Sequence, residues 1–183
     1  MSKVALIVGS IRRDSINHKL AEALAKLAKP KTEYTILKID DLPLFNQDLE
    51  PNPPASVTRL KSEIEAADGV LIVTPEYNRS IPGVLKNAID WASRPYGKNS
   101  FNGKPTTALG TSMGAVGTAA AQQHLRSILA YLNVTLMGQP EGYIVFKKDM
   151  IDPAGNFSDE GTRKFMQGYV DAFAAWIDRF GKK

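Results

Sequence analysis

The sequence predicts an α/β fold, a parallel sheet covered by helices on both faces. Three observations predict it. Short apolar runs rich in β-branched residues, such as Val4–Val8 and Gly69–Val73, read as strands buried on both sides. Amphipathic stretches with apolar residues at helical spacing alternate with those runs. Right-handed crossovers between parallel strands then leave few topologies.

The first strand, Val4–Val8, ends at Gly9. Asp14 or Ser15 is placed to cap a helix that carries Leu20, Leu24 and Leu27 and runs to about Lys29, before Pro30. Tyr34–Ile39 alternates and reads as the second strand. Asp40–Pro54 holds four prolines and is long for a connection in a compact domain, as functional loops often are. Its Leu44 and Phe45 call for burial, a second subunit being one place for it. Ala55–Ala67 reads as a helix and Gly69–Val73 as the third strand. Pro75 and Pro82 stiffen the next loop, and Pro82 suits the start of a helix over Val84–Arg94.

Thr106–Leu109 reads as a fourth strand, running into the glycine-containing turn Gly110–Gly117. A helix with Leu125, Ile128, Leu129 and Leu132 follows, then a fifth strand over Val134–Met137. Tyr143–Phe146 reads as a short extended piece before a turn at Asp152–Gly155. Phe165, Tyr169, Phe173, Trp176 or Ile177, and Phe180 recur at helical spacing in the last helix and read as core.

With 183 residues, no repeat and no linker, the expectation is one domain over 1–183. Cysteine is absent, which removes disulfides and thiolate chemistry and fits a reducing cytoplasm. No apolar run is long enough to span a membrane, and the N-terminus shows no signal-peptide pattern. The net charge is +4, spread along the chain without a basic block, so nucleic-acid binding is not expected.

Ligands in such sheets bind beyond the carboxyl ends of strands, which singles out three loops. The first, Gly9–Asn17, leads into a helix N-terminus, where free N–H groups and the dipole favour an anion. Ser10, Ser15 and Asn17 add donors, and Arg12 adds a fork suited to phosphate oxygens. The same Ser and Asn residues are equally compatible with ordinary capping. The second loop, with Pro75, Glu76, Tyr77, Asn78, Arg79 and Ser80, offers backbone donors to the edge of a heterocycle, or is simply a stiff turn. The third offers Thr111, Ser112, Met113 and Gly114, small enough for close approach.

No G-x-G-x-x-G, P-loop or G-x-S-x-G motif occurs. His18 and His124 fall in predicted helices away from these loops and form no metal-spaced cluster. No catalytic side chain and no metal ligand is assigned.

Gly9-Ser10-Ile11-Arg12 with Ser15 and Asn17, Thr74-Pro75-Glu76-Tyr77-Asn78, and Ile81-Pro82-Gly83 with Leu85–Trp91 together resemble the NAD(P)H-dependent FMN reductase family. Ser112-Met113-Gly114 and His124-Leu125-Arg126 extend the resemblance toward its quinone and chromate reductase branch. The resemblance implies a flavodoxin-like three-layer sandwich, a five-stranded parallel sheet of order 2-1-3-4-5, and bound FMN. It implies FMN phosphate on Ser10, Arg12, Ser15 and Asn17, with the Ile16 backbone. It further implies the flavin ring edge on Pro75–Ser80 and on Ser112, Met113 and Gly114, with Thr111 beside them. Relatives are usually dimers or dimers of dimers. Arg79 and Thr118 depart from the pattern: relatives often carry an aromatic or a glycine at the first and a glycine at the second.

The expected activity is transfer of hydride from NAD(P)H through FMN to quinones, with chromate, azo and nitro compounds as further acceptors. The alternatives are a flavodoxin-type electron carrier and a non-enzymatic FMN-binding domain. Flavodoxins are strongly acidic and have a phosphate loop rich in Thr and Gly, unlike this chain.

Overall fold

Every residue from Val4 to Val8 is buried, because strand β1 (Ser2–Val8) lies inside a sheet with helices on both faces. The computed structural model describes residues 1–181. In it β1 pairs in parallel with β2 (Thr32–Ile36) on one side and β3 (Gly69–Val73) on the other. Strand β4 (Pro105–Ser112) follows β3, and the outer edge of β4 is shared by β5 (Thr135–Leu136) and β6 (Gly142–Val145). The order is the expected 2-1-3-4-5, all parallel, with β6 as an added strand.

The period of two along each strand divides the core. Ala5 and Ile7 of β1 face the layer of α2 (Ala55–Ala66), α3 (Gly83–Ala92) and α4 (Ala119–Tyr131), which contributes Leu60, Leu85, Ile89 and Leu125. Val4, Leu6 and Val8 face α1 (Ile16–Ala28) and α5 (Glu160–Phe180), which contribute Leu20, Leu24, Tyr169 and Phe173. Sequence patterning thus translates directly into three layers.

Four expectations are corrected. The fifth strand does not extend over Val134–Met137: only Thr135 and Leu136 pair, with Pro105 and Thr106. The extended piece near Tyr143 is a true sheet strand, in register with Leu109–Ser112. Gly138 and Pro140 interrupt the run between them, and proline has no N–H for the ladder. The second strand begins at Thr32 and ends at Ile36, two residues earlier and three shorter at its end than its alternation suggests. In α5 the core stripe is Tyr169, Phe173 and Ile177, whereas Phe165 and Phe180 are exposed.

The long loop after β2 is fastened to α3. The Asn87 side chain accepts from Phe45 N–H and donates to Pro43 O, and Trp91 Nε1 also donates to Pro43 O at 2.8 Å. Phe45 meets Trp91 edge-on with ring centroids 4.9 Å apart. Leu44, held between these anchors, remains 85% exposed. No helix among the described residues is long and apolar enough to cross a membrane.

Candidate active site

The three loops meet because the ends of the central strands are stitched together. Gly9 N–H donates to Val73 O, and Thr74 N–H donates to Leu109 O, carrying the ladder past the named strands. Gly110 passes so close to the second loop that an added Cβ would meet Thr74 O at 2.0 Å and Thr118 Oγ1 at 2.5 Å. Only glycine allows that approach.

In the first loop Ser15 caps α1, its hydroxyl oxygen accepting from His18 N–H at 3.2 Å. Its own O–H stays available. The N–H groups of Ile16 and Asn17 have no main-chain acceptor, as expected of a first helical turn. Among the described residues the buried Ser10 hydroxyl has no hydrogen-bond partner and the exposed Arg12 no ion pair. Several donors therefore converge where the α1 dipole is positive. Asn17 plays a different part. Its Nδ2 donates to Thr111 O at 2.9 Å and its Oδ1 accepts from Thr111 N–H at 3.0 Å. One amide hydrogen is left for a ligand.

In the second loop Tyr77 and Ser80 exchange both backbone hydrogen bonds, each at 3.0 Å. Asn78 and Arg79 between them have φ of 51° and 65°. Two positive central φ angles with that pairing describe a type I′ turn, whose second central position ordinarily favours glycine. This is the physical meaning of Arg79's departure from the family pattern. The strained arginine has a partner: its Nη1 lies 3.3 Å from Glu76 Oε1. Glu76 Oε2 in turn accepts from Ala121 N–H at 3.1 Å, in the first turn of α4, where the dipole favours a carboxylate.

Ser80 Oγ and His124 Nδ1 are 2.7 Å apart, a second tie between this loop and α4. The expectation that both histidines lie away from the loops is therefore wrong. His124 sits one helical turn after Ala121 and so faces the same loop, and His18 touches the first loop through the Ser15 cap. The Ser80–His124 pair is not a hydrolase triad: among the described residues no carboxylate hydrogen-bonds to His124.

In the third loop Ser112 Oγ donates to Gly114 O, and Met113 is exposed beside it. The Thr111 hydroxyl donates to Ile144 O in β6, so its backbone rather than its side chain faces the first loop. Gly117 and Thr118 both have positive φ, 56° and 70°. The left-handed Thr118 is tied to α4, its Oγ1 accepting from Gln122 Nε2 at 2.9 Å. Among the described residues no group of three His, Asp or Glu side chains is gathered to hold a metal ion.

A doubly wound sheet with an anion-ready helix N-terminus and two donor loops at its switch point defines a flavin-type α/β oxidoreductase site. Comparison with known proteins agrees. The family described as NADPH-dependent FMN reductase matches residues 2–149. A 2-hydroxy-1,4-benzoquinone reductase of Burkholderia sp is 53% identical over 175 residues, 96% of each chain. A quinone reductase of Pseudomonas putida is 45% identical, covering 95% of this chain and 94% of its own. The flavoenzyme NAD(P)H:(acceptor) oxidoreductase FerB of Paracoccus denitrificans superposes over 100% of both chains with a TM-score of 0.97 at 50% identity. The chain belongs to the NADPH-dependent FMN reductase family. Membership makes it an oxidoreductase, with FMN as its flavin and NAD(P)H as reductant.

The residues present fit that group. Unengaged donors of Ser10, Arg12, Ser15 and Ile16 suit a phosphate monoester, and the free N–H groups of Glu76, Asn78 and Arg79 suit the polar edge of a ring.

Proposed function

We propose that the chain acts as one flavodoxin-like, FMN-binding domain that reduces quinones with NAD(P)H. The observation that carries this reading is the stitched arrangement of three donor loops at the ends of β1, β3 and β4. The names of its relatives support the quinone.

Bound FMN supplies hydride acceptance from the nicotinamide and its delivery to the acceptor. The protein supplies the rest. Ser10, Arg12, Ser15 and the Ile16 N–H hold the phosphate, and Asn17 sets the distance between the first and third loops. Pro75 stiffens the loop, and the N–H groups of Glu76, Asn78 and Arg79 are offered to the ring edge, where they stabilise negative charge on it. Ser112, Met113 and Gly114 form the opposite wall. Glu76 keeps the turn against α4, and Arg79, 74% exposed, adds a cation at the mouth. That cation suits anionic acceptors, so chromate joins azo and nitro compounds as secondary acceptors. No side-chain nucleophile or metal takes part.

We also propose self-association as a homodimer or homotetramer in the cytoplasm. Leu44 in the loop after β2, and Tyr77 and Met113 in the second and third loops, present large exposed apolar surface, as a subunit contact requires.

The test is direct. Purified protein is expected to be yellow, to hold about one FMN per chain, and to oxidise NAD(P)H in the presence of a quinone without a separate reductase. Colourless protein that takes up no FMN would refute the reading. FMN without nicotinamide oxidation would assign an electron carrier instead.

A further inference from the structure

A cleft of about 540 Å³ opens beside the first loop, between it and the end of β2, on the side of β1 away from β3. It shares Ser10 and Arg12 with the phosphate loop. A larger opening of about 630 Å³ beside the start of α5 sets Lys147 and Lys148 against Asp149 and Asp159, a balance that selects no ion.

The charge balance of the cleft beside β2 is different. Arg12, Arg13 and Lys38 line it. Neither arginine makes an ion pair or a side-chain hydrogen bond among the described residues. Lys38 approaches only Asp41, at 3.9 Å, and Asp41 is already held by Arg59 at 2.9 Å. Of the two carboxylates in the cleft, Glu22 lies 3.6 Å from His18, whereas Asp40 has no side-chain partner among the described residues. Ile11, Ile36 and Ile39 form an apolar wall. The cleft thus joins two unpaired arginines, a lysine held only at long range, a carboxylate and an apolar surface.

Those are the parts of an adenylate site. In doubly wound sheets an acidic residue near the end of the second strand accepts from ribose hydroxyls, and a nearby arginine accommodates a 2′-phosphate. Asp40 stands just past β2, and Arg13 and Lys38 line the same cleft. A planar purine fits an aliphatic wall. The neighbouring phosphate loop raises the need for cations here, because a second phosphoryl group would come close to the first.

We infer that this cleft binds the adenylate half of the nicotinamide nucleotide, with Arg13 and Lys38 reading the 2′-phosphate of NADPH and Asp40 the ribose. The inference rests on the reading that FMN occupies the three loops. The same chemistry would also receive the adenylate of FAD, and the experiment separates the two sources.

The FMN-loaded protein and its Arg13→Ala/Lys38→Ala variant are assayed with NADPH and NADH, with 2′,5′-ADP and 5′-AMP as probes. Both substituted side chains are exposed, so the fold is retained, and FMN content is read from the visible spectrum. The expected result is competition of 2′,5′-ADP against NADPH, stronger than that of 5′-AMP. The double variant should raise KM for NADPH by about tenfold or more, as loss of charge-assisted contacts does. KM for NADH should change less, and kcat and FMN content should stay unchanged. An unchanged KM for NADPH, or no competition by 2′,5′-ADP, would overturn the inference. In a second arm the apoprotein is titrated with FMN and FAD. Tighter binding of FAD that the double variant alone weakens would give the cleft to the flavin and overturn its assignment to NADPH. A protein that holds no flavin yet still binds 2′,5′-ADP by calorimetry would sink the FMN reading and leave the cleft an adenylate site.

Discussion

Asn17 and Thr111 lie 94 positions apart and are joined by a reciprocal pair of hydrogen bonds, 2.9 and 3.0 Å long, from one side-chain amide to one peptide unit. Asn17 is only 2% exposed. The pair locks the start of α1 to the end of β4, and so fixes the gap that FMN would span in the proposed site. Asn17→Ala would leave the Thr111 N–H and C=O buried without partners, at about 1–3 kcal/mol. We expect a lower melting temperature together with weaker FMN binding. A variant that loses stability but keeps its FMN affinity in a fluorescence titration would show that the gap is set elsewhere.

Arg79 occupies a left-handed position that costs a non-glycine residue roughly 1–2 kcal/mol. Its ion pair with Glu76, in which the arginine is 74% exposed and the carboxylate 11%, offsets about 0–1 kcal/mol of that. Arg79→Gly should therefore leave stability unchanged or raise it slightly, while removing the cation from the site mouth. We expect KM for chromate to rise and KM for neutral quinones to stay. Equal effects on charged and neutral acceptors would make Arg79 a turn residue without a role in acceptor choice.

Glu76 joins the flavin-side turn to α4 through Ala121 N–H. Glu76→Gln keeps an acceptor for that N–H but loses the charge that favours the helix N-terminus; Glu76→Ala loses both. Caps of this kind are worth about 0.5–2 kcal/mol. The order of melting temperatures should be wild type, then Gln, then Ala, with FMN dissociation accelerating in the same order. Identical values for Gln and Ala would show that the carboxylate acts on Arg79 rather than on α4.

Much of this was legible in the sequence, for a physical reason. Strands buried on both faces must be short apolar runs, and the ligand loops of a doubly wound sheet must follow them. Gly9–Asn17, Thr74–Gly83 and Gly110–Gly117 could therefore be located from local pattern alone. What stayed hidden depended on long-range pairing. Nothing local marks Tyr143–Val145 as a sheet strand, since only the exposed edge of β4 makes it one. Nothing local ties His124 to Ser80, 44 positions earlier. Phe180 follows the helical period yet is the last residue of α5, and Phe165 lies to the side of the buried stripe that begins at the adjacent Met166. Arg79 announced itself as a departure, but its meaning needed the φ angle.

Acid should loosen the start of α5. Asp159 caps that helix, accepting from Thr162 N–H at 2.7 Å, and its hydrogen bonds from Thr162 hold its carboxyl below the usual carboxylate range. A carboxyl whose pKa is depressed in the folded state contributes stability above its unfolded value, about 4. That contribution disappears as pH falls through the lower folded value. Asp159→Asn keeps a capping oxygen but does not titrate. Wild type should melt higher than the variant near neutral pH, and the difference should close in acid. A gap that is constant with pH would place the effect in packing instead of charge.

Arg12 gives the sharpest test of the phosphate loop. Its side chain has no partner among the described residues, so its removal should leave no buried group unpaired and hardly change the melting temperature of the apoprotein. Against a phosphate dianion its guanidinium makes charge-assisted bonds worth roughly 1.5–3 kcal/mol. Arg12→Ala should therefore weaken FMN binding by about tenfold to a hundredfold. Arg12→Lys should restore part of the loss, because an ammonium supplies the charge without the planar fork. The effect should shrink as salt is raised, since the site is open to solvent. Riboflavin, which has no phosphate, should bind wild type and Arg12→Ala alike. Equal losses for riboflavin and FMN would show that Arg12 shapes the loop rather than holding the phosphate.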